Sequence, residues 1–372
     1  MLEAEDPLAA LGGIARLVRR RSEARVVGIA GSAGKTSTKD MLRALLAPHA
    51  ATVASHASLN NELGVPLTLS LLEPATELCV CELGTGAPGE LAALCRIAEP
   101  DAGVITTIGP EHLEFFGSVE AVAAEEAALI DALPRGAPLV LPHDAALLEP
   151  YRRCDLDEWR FGADRAADIR PLAWREGAAG TEAAFLVRGE RVAFTTNLAL
   201  VHHRLDLAAA LAVYAALGLP LDRVAEGASA IALSPWRGQE ERLAEGMLVI
   251  NDAYNANPVS LVAALEALAA RRNGGRTVAV LGEMAELGPD AASWHMRAGR
   301  QAAALGVDLL VAVGAGARAY LDGATGRLEC CWFPDLPAAT RALPALLHPA
   351  YVVLIKGSRS ARLERVAEAL AR

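Results

Sequence analysis

The chain has 372 residues and a formal net charge of −10, from 35 Lys and Arg against 45 Asp and Glu. This length suggests roughly two or three domains with sizeable cores, and the acidic balance counts against nonspecific nucleic-acid binding, which needs a basic footprint. No apolar run approaches the ~20 residues of a membrane span, and the acidic start has no continuous apolar stretch behind it, so it does not read as a secretory signal.

The first apolar run, residues 24–31, reads as a buried strand, and residues 36–49 as the helix after it. Residues 75–84, 101–109 and 137–142 are further short apolar runs bounded by Gly, Pro and Asp. Strands alternating with amphipathic helices imply a parallel sheet covered by helices. Residues 200–231 are helical in pattern, and Pro235 and Gly238 interrupt the periodicity. Apolar runs then return at 246–254, 276–284, 307–316 and 351–358, alternating with helices. The fold class is therefore α/β: a short extension over 1–19, a central parallel-sheet domain over 20–235, and a smaller Rossmann-like domain over 236–372. Cys79, Cys81, Cys95, Cys154, Cys330 and Cys331 form no CxxC pair and no zinc spacing. They read as small hydrophobes in a reducing, cytoplasmic setting.

Gly31-Ser32-Ala33-Gly34-Lys35-Thr36, running on into Ser37, lies between that first strand and its helix. This is the context of a phosphate-binding loop. Glycines let backbone N–H groups approach phosphate oxygens, and the helix N-terminus adds partial positive charge. Lys35 can reach the terminal phosphates of ATP and the Thr36 hydroxyl can ligate Mg²⁺. The motif is the short GxxGKT form, because Ile29 stands where the longer form has its first glycine.

Further motifs follow in order: Ser58–Pro66 (SLNNELGVP), Glu82 in CELGTG, Thr106–Leu113 (TTIGPEHL), Asn251–Pro258 (NDAYNANP), Leu281–Gly288 (LGEMAELG) and Lys356–Arg359 (KGSR). Together with the GxxGKT loop they resemble the Mur ligase family, closest to its D-Ala-D-Ala-adding branch, over nearly the whole chain from about residue 10. The resemblance implies a central ATPase domain and a Rossmann-like C-terminal domain with ATP in the cleft between them. It also implies ATP-driven activation of a carboxylate as an acyl phosphate, attack by an amine, and release of ADP and phosphate. On it, Thr36, Glu82 and His112 hold or orient Mg²⁺. Arg237, Asp252 and Asn255 serve the nucleotide, with Tyr254 at the same interface. Lys356 and Arg359 lie near the reaction centre, and His295 matches a family histidine for which a structural role is as good a reading.

Three departures qualify this. Only 30 residues precede Gly31, so the domain that grips a uridine nucleotide in three-domain Mur ligases is expected to be missing. Glu126 falls where the family carries a carbamylated lysine, with Glu125 beside it; a carboxylate there replaces the carbamate as a metal ligand. The family's GxHNxxN pattern near adenine keeps His202 but reads His203 and Asp206 at its two asparagine positions. These departures put first a specialised ligase acting on small-molecule or peptide acids and amines, carrier-bound ones included, with no nucleic-acid or membrane partner. Behind it stand the cell-wall ligase joining D-Ala-D-Ala to a UDP-linked muramyl tripeptide, and an ATP-binding non-catalytic subunit.

Overall fold

Strand β1 (Arg25–Ala30) is buried from Val26 to Ala30, as a strand covered on both faces must be. Its alternate residues serve two different cores: Val27 and Ile29 join one, Val26 and Ala30 the other. The computed structural model describes residues 4–272 and 274–371. The chain divides into two compact units: Met1–Ile108, Ser118–Ala199 and His203–Ser234 make the first, and Gly109–Gly117, Leu200–His202 and Pro235–Arg372 the second.

In the first unit, β2 (Thr52–Ala54), β3 (Leu78–Glu82), β4 (Ala102–Ile105), β5 (Pro138–Pro142) and β6 (Asp157–Phe161) join β1 in parallel, followed by β7 (Ile169–Gly177), β8 (Gly180–Val187) and β9 (Glu190–Thr196). The order is β2-β3-β1-β4-β5-β6-β7-β8-β9. Helices Lys35–Leu46 and His203–Ala216 cover one face through Met41, Leu42, Leu45 and Leu207–Tyr214. Helix Glu90–Ala98 and the segment around Leu129 and Ile130 cover the other. Strands β7 to β9 form an antiparallel meander that the apolar patterning of the sequence does not announce. Its tight Gly177–Gly180 connection and the register shift between Pro171 and Ala173 are its local marks.

The second unit holds β10 (Gln239–Arg242), β11 (Leu248–Asn251), β12 (Thr277–Gly282), β13 (Leu309–Val313), β14 (Glu329–Phe333) and β15 (Val352–Lys356), ordered β10-β11-β15-β12-β13-β14. Only β10 runs antiparallel. Helix Pro258–Ala270 starts with a capping box between Asn257 and Ser260 and with Pro258 in its first turn. This is the helix start that the NANP tetrapeptide announces.

Helices Ala291–Ala304 and Ala319–Ala324 cross closely because each puts a glycine at the contact. A Cβ on Gly299 would lie 2.0 Å from the Tyr320 carbonyl oxygen, and one on Gly323 would lie 1.9 Å from that of Met296. Backbone cannot yield as a flexible side chain can. Gly299→Ala therefore lowers unfolding free energy by about 1–3 kcal/mol, seen as a lower urea midpoint with an unchanged denaturant slope.

Candidate functional site

In an open α/β sheet, the carboxyl ends of the strands where the chain order reverses are where ligands gather. In the first unit, β3, β1 and β4 are neighbours, and their carboxyl ends carry Glu82, the glycine loop and Thr106. Gly31 has φ +118° and Gly34 φ +84°, both in the region that favours glycine. A Cβ on Gly31 would meet Thr106 Oγ1 at 2.4 Å and Thr106 N at 2.8 Å. The loop is held from β4 as well: Ser32 N–H donates to the Thr107 carbonyl at 2.8 Å, and the Thr106 hydroxyl to the Ala33 carbonyl at 2.6 Å. The Lys35 ammonium donates back to the Gly31 carbonyl.

Two carboxylates border this loop. Glu82, the last residue of β3, is 1% exposed and accepts from Thr36 Oγ1 at 3.0 Å and from Asn60 Nδ2 at 2.9 Å, both at Oε1. Glu126 is fully buried, and its Oε2 accepts the Gly31 N–H at 2.7 Å. Burial pushes the Glu126 carboxyl above its ordinary range, against the pull of Lys35 and of the Gly31 amide. Its neighbour does a different job: Glu125 accepts from Gly89 N, Leu91 N and Thr85 Oγ1, closing the N-terminus of helix Glu90–Ala98.

Glu82 Oε2 and Glu126 Oε1 are buried without a hydrogen-bond partner among the described residues. Orphaned carboxylate oxygens are what a hard divalent cation takes. Among the described residues no group of three or more His, Cys, Asp and Glu is gathered to hold a metal. The two orphaned carboxylate oxygens and the Thr36 hydroxyl fit Mg²⁺, which uses one or two carboxylates and completes its shell with phosphate oxygens and water.

Two supports were missed in the sequence. Lys39, 1% exposed, donates to the carbonyls of Ser55 and Ala57 and pairs with Asp40 at 2.9 Å, so it ties the segment before Asn60 to the helix that follows the loop. Asn60 itself lies in the SLNNELG motif, but nothing in that string says that it faces Glu82. Asp206, read as lying near adenine, has its carboxylate against the loop: a Cβ on Gly34 would be 2.4 Å from Asp206 Oδ1.

The second unit gathers the other predicted residues. Lys356 ends β15 at 3% exposure and pairs with Asp252, just past the neighbouring β11, at 2.5 Å. It also donates to the Asn255 carbonyl at 3.0 Å. Arg237 lies over the Tyr254 ring, 4.0 Å from its centroid, and Arg359, half-exposed, donates to Glu364 at 2.8 Å. His112, grouped with this unit, has φ +49° and hydrogen-bonds Glu286, which has φ +61°. Burial and the charge of Lys356 bring His202 down to about 3, so it is neutral.

His295 is 1% exposed, and both of its ring nitrogens bond backbone groups. Met284 N–H donates to Nε2 at 2.9 Å, and Nδ1 donates to the Ala291 carbonyl at 2.6 Å, which fixes a neutral tautomer. Burial lowers its pKa from 6.5. The unfolded chain thus binds the extra proton first as pH falls. The stability is fully present above the unfolded value and is lost below it, by up to ~1.4 kcal/mol per pH unit. Urea midpoints measured from pH 7 to 5 will fall less steeply in His295→Gln than in the parent chain.

The family model described as "Mur ligase middle domain" matches residues 29–214, and "Mur ligase, glutamate ligase domain" matches residues 237–359. The UDP-N-acetylmuramoyl-tripeptide--D-alanyl-D-alanine ligase of Escherichia coli (strain K12) is 33% identical over 371 residues, covering 98% of this chain and 81% of that protein. The crystal structure of MurF from Acinetobacter baumannii matches 100% of this chain and 82% of its own, with a TM-score of 0.89 at 29% identity. That of the MurF ligase from Thermotoga maritima in complex with ADP matches 100% and 84%, with a TM-score of 0.88 at 28% identity.

Proposed function

This chain belongs to the Mur ligase family of ATP-dependent carbon–nitrogen ligases, and from that premise we propose that it joins D-alanyl-D-alanine to the peptide of a UDP-N-acetylmuramoyl-tripeptide. The observation that carries this reading is the likeness to a ligase of that name over 98% of the chain. It puts the cell-wall substrate ahead of the specialised ligase favoured from the sequence. The non-catalytic alternative is disfavoured because Lys35, Thr36 and Glu82 stand together at the carboxyl ends of β1 and β3.

The chemistry needs two anions, a carboxylate and the terminal phosphate of ATP, brought into contact. The loop amides and the N-terminus of helix Lys35–Leu46 meet the phosphates, and Lys35 supplies a mobile positive charge at the transferring group. Thr36, Glu82 and Glu126 would hold Mg²⁺, which when bound screens phosphate charge and polarises the transferred group. The substrate carboxylate oxygen takes the γ-phosphoryl group as ADP leaves. The amine then attacks the acyl carbon, and phosphate departs as the amide forms. By the family likeness, Arg237, Asp252 and Asn255 would serve the nucleotide and Arg359 the reaction centre. Lys356 keeps the Asp252–Asn255 segment in place through its buried ion pair.

A coupled ADP-release assay over a matrix of acids and amines, with mass detection of product, tests this. Turnover with UDP-muramyl tripeptide and D-Ala-D-Ala is the expected result. Turnover only with other pairs would restore the specialised ligase, and nucleotide binding without any turnover would point to the non-catalytic subunit. Lys35→Ala should lower turnover by ~10²-fold or more and weaken ATP binding in titration calorimetry. Glu126→Ala should abolish activity with the fold intact by circular dichroism, and activity of the parent should not depend on added bicarbonate. Full activity of that variant would remove Glu126 from the metal set.

A further inference from the structure

Trp236 occupies a conformation that a bulky side chain ordinarily avoids. Its φ is +61°, in the left-handed region where Cβ crowds the backbone. Two hydrogen bonds hold it there: its N–H donates to Gln239 Oε1 at 3.0 Å, and its carbonyl accepts the Tyr254 N–H at 3.2 Å. Its half-buried indole lies beneath Arg359, 4.7 Å from the guanidinium carbon to the ring centroid. The next residue, Arg237, lies over Tyr254, the same residue whose amide bonds the Trp236 carbonyl.

One strained residue therefore connects two arginines. Trp236 orients Arg359 through its ring and Arg237 through its backbone. A guanidinium stacked on a ring keeps its in-plane N–H donors pointing outward, which suits a planar or tetrahedral oxyanion. Arg359 is also fixed on one edge, where Nη1 donates to the buried Glu364 carboxylate. Strain maintained by surrounding contacts concentrates where geometry is used.

We propose that Trp236 is a positioning residue that holds both Arg237 and Arg359 ready for an oxyanion of the phosphate class. This rests on the ligase reading above, and it adds a residue that neither the motifs nor the family comparison marks out.

The test separates stability from function. In the full chain, Trp236→Gly relieves the left-handed strain and removes the ring. Its thermal midpoint should equal or exceed that of the parent, while kcat/KM for ATP falls about fivefold or more. Trp236→Phe, which keeps a ring to stack on, should recover most of that loss. A packing role alone predicts a lower midpoint with kcat/KM unchanged, and that result would overturn the proposal. So would a Trp236→Gly enzyme with parental kcat/KM, or a Trp236→Phe enzyme no better than Trp236→Gly. If the parent chain neither binds nor consumes ATP, the ligase reading fails first and this one with it. Parental nucleotide turnover with an indifferent Trp236→Gly sinks this inference alone.

Discussion

Glu126 has no exposed surface, yet it accepts a backbone amide from the loop that is to receive a polyphosphate. Placing a carboxylate there sets a charge problem that the surrounding structure is built around. Removing an ion from water is expensive, and the expense is offset only by opposite charge or by hydrogen bonds in good geometry. Gly31 N–H supplies one such bond, and Lys35 supplies charge. Glu82 repeats the pattern on the neighbouring strand, with Thr36 and Asn60 on one oxygen and none of the described residues on the other. Two half-satisfied carboxylates beside a phosphate loop are the chemistry that the proposed Mg²⁺ would complete.

That electrostatic demand explains why the loop is fastened so heavily. Thr106 and Thr107, just past β4, hold Ala33 and Ser32, and Glu126 holds Gly31 from a different helix. A loop whose amides must point at phosphate cannot be left to find that shape when the ligand arrives. Preorganised donors do their work without reorganisation at the moment of reaction. The same logic applies in the second unit, where Trp236, Glu286 and His112 all keep positive φ without being glycine. Each lies in a loop rather than in a strand or helix core, and each has a partner that keeps it there.

How much of this could be read from sequence depended on how local the signal was. The loop, its flanking strand and its helix were legible because glycine spacing, Lys-Thr and apolar periodicity all lie within about two dozen residues. Glu82 and Glu126 became candidates only by resemblance, since a lone Glu after a strand or on a helix carries no local mark. Asn60 and Lys39 were missed because their meaning is a long-range contact: Asn60 meets Glu82, and Lys39 meets the carbonyls of Ser55 and Ala57. The β7–β9 meander escaped for another reason. β7 and β9 are partly exposed and interrupted by charge, β7 also by Pro171, and only Ala183–Val187 in β8 forms an apolar run.

The adjacent Glu125 and Glu126 show why the physical context has to decide between like residues. Helical neighbours point about 100° apart, and here the two carboxylates go to unrelated tasks. Glu125 satisfies the first amides of helix Glu90–Ala98, where an exposed helix end would otherwise be met by water. Glu126 turns inward to the phosphate loop with one oxygen unsatisfied. Every Glu125 contact serves the helix end, whereas the Glu126 contact serves the phosphate loop and leaves one oxygen over. That unmade bond is the ground on which Glu126, rather than Glu125, is proposed as a metal ligand.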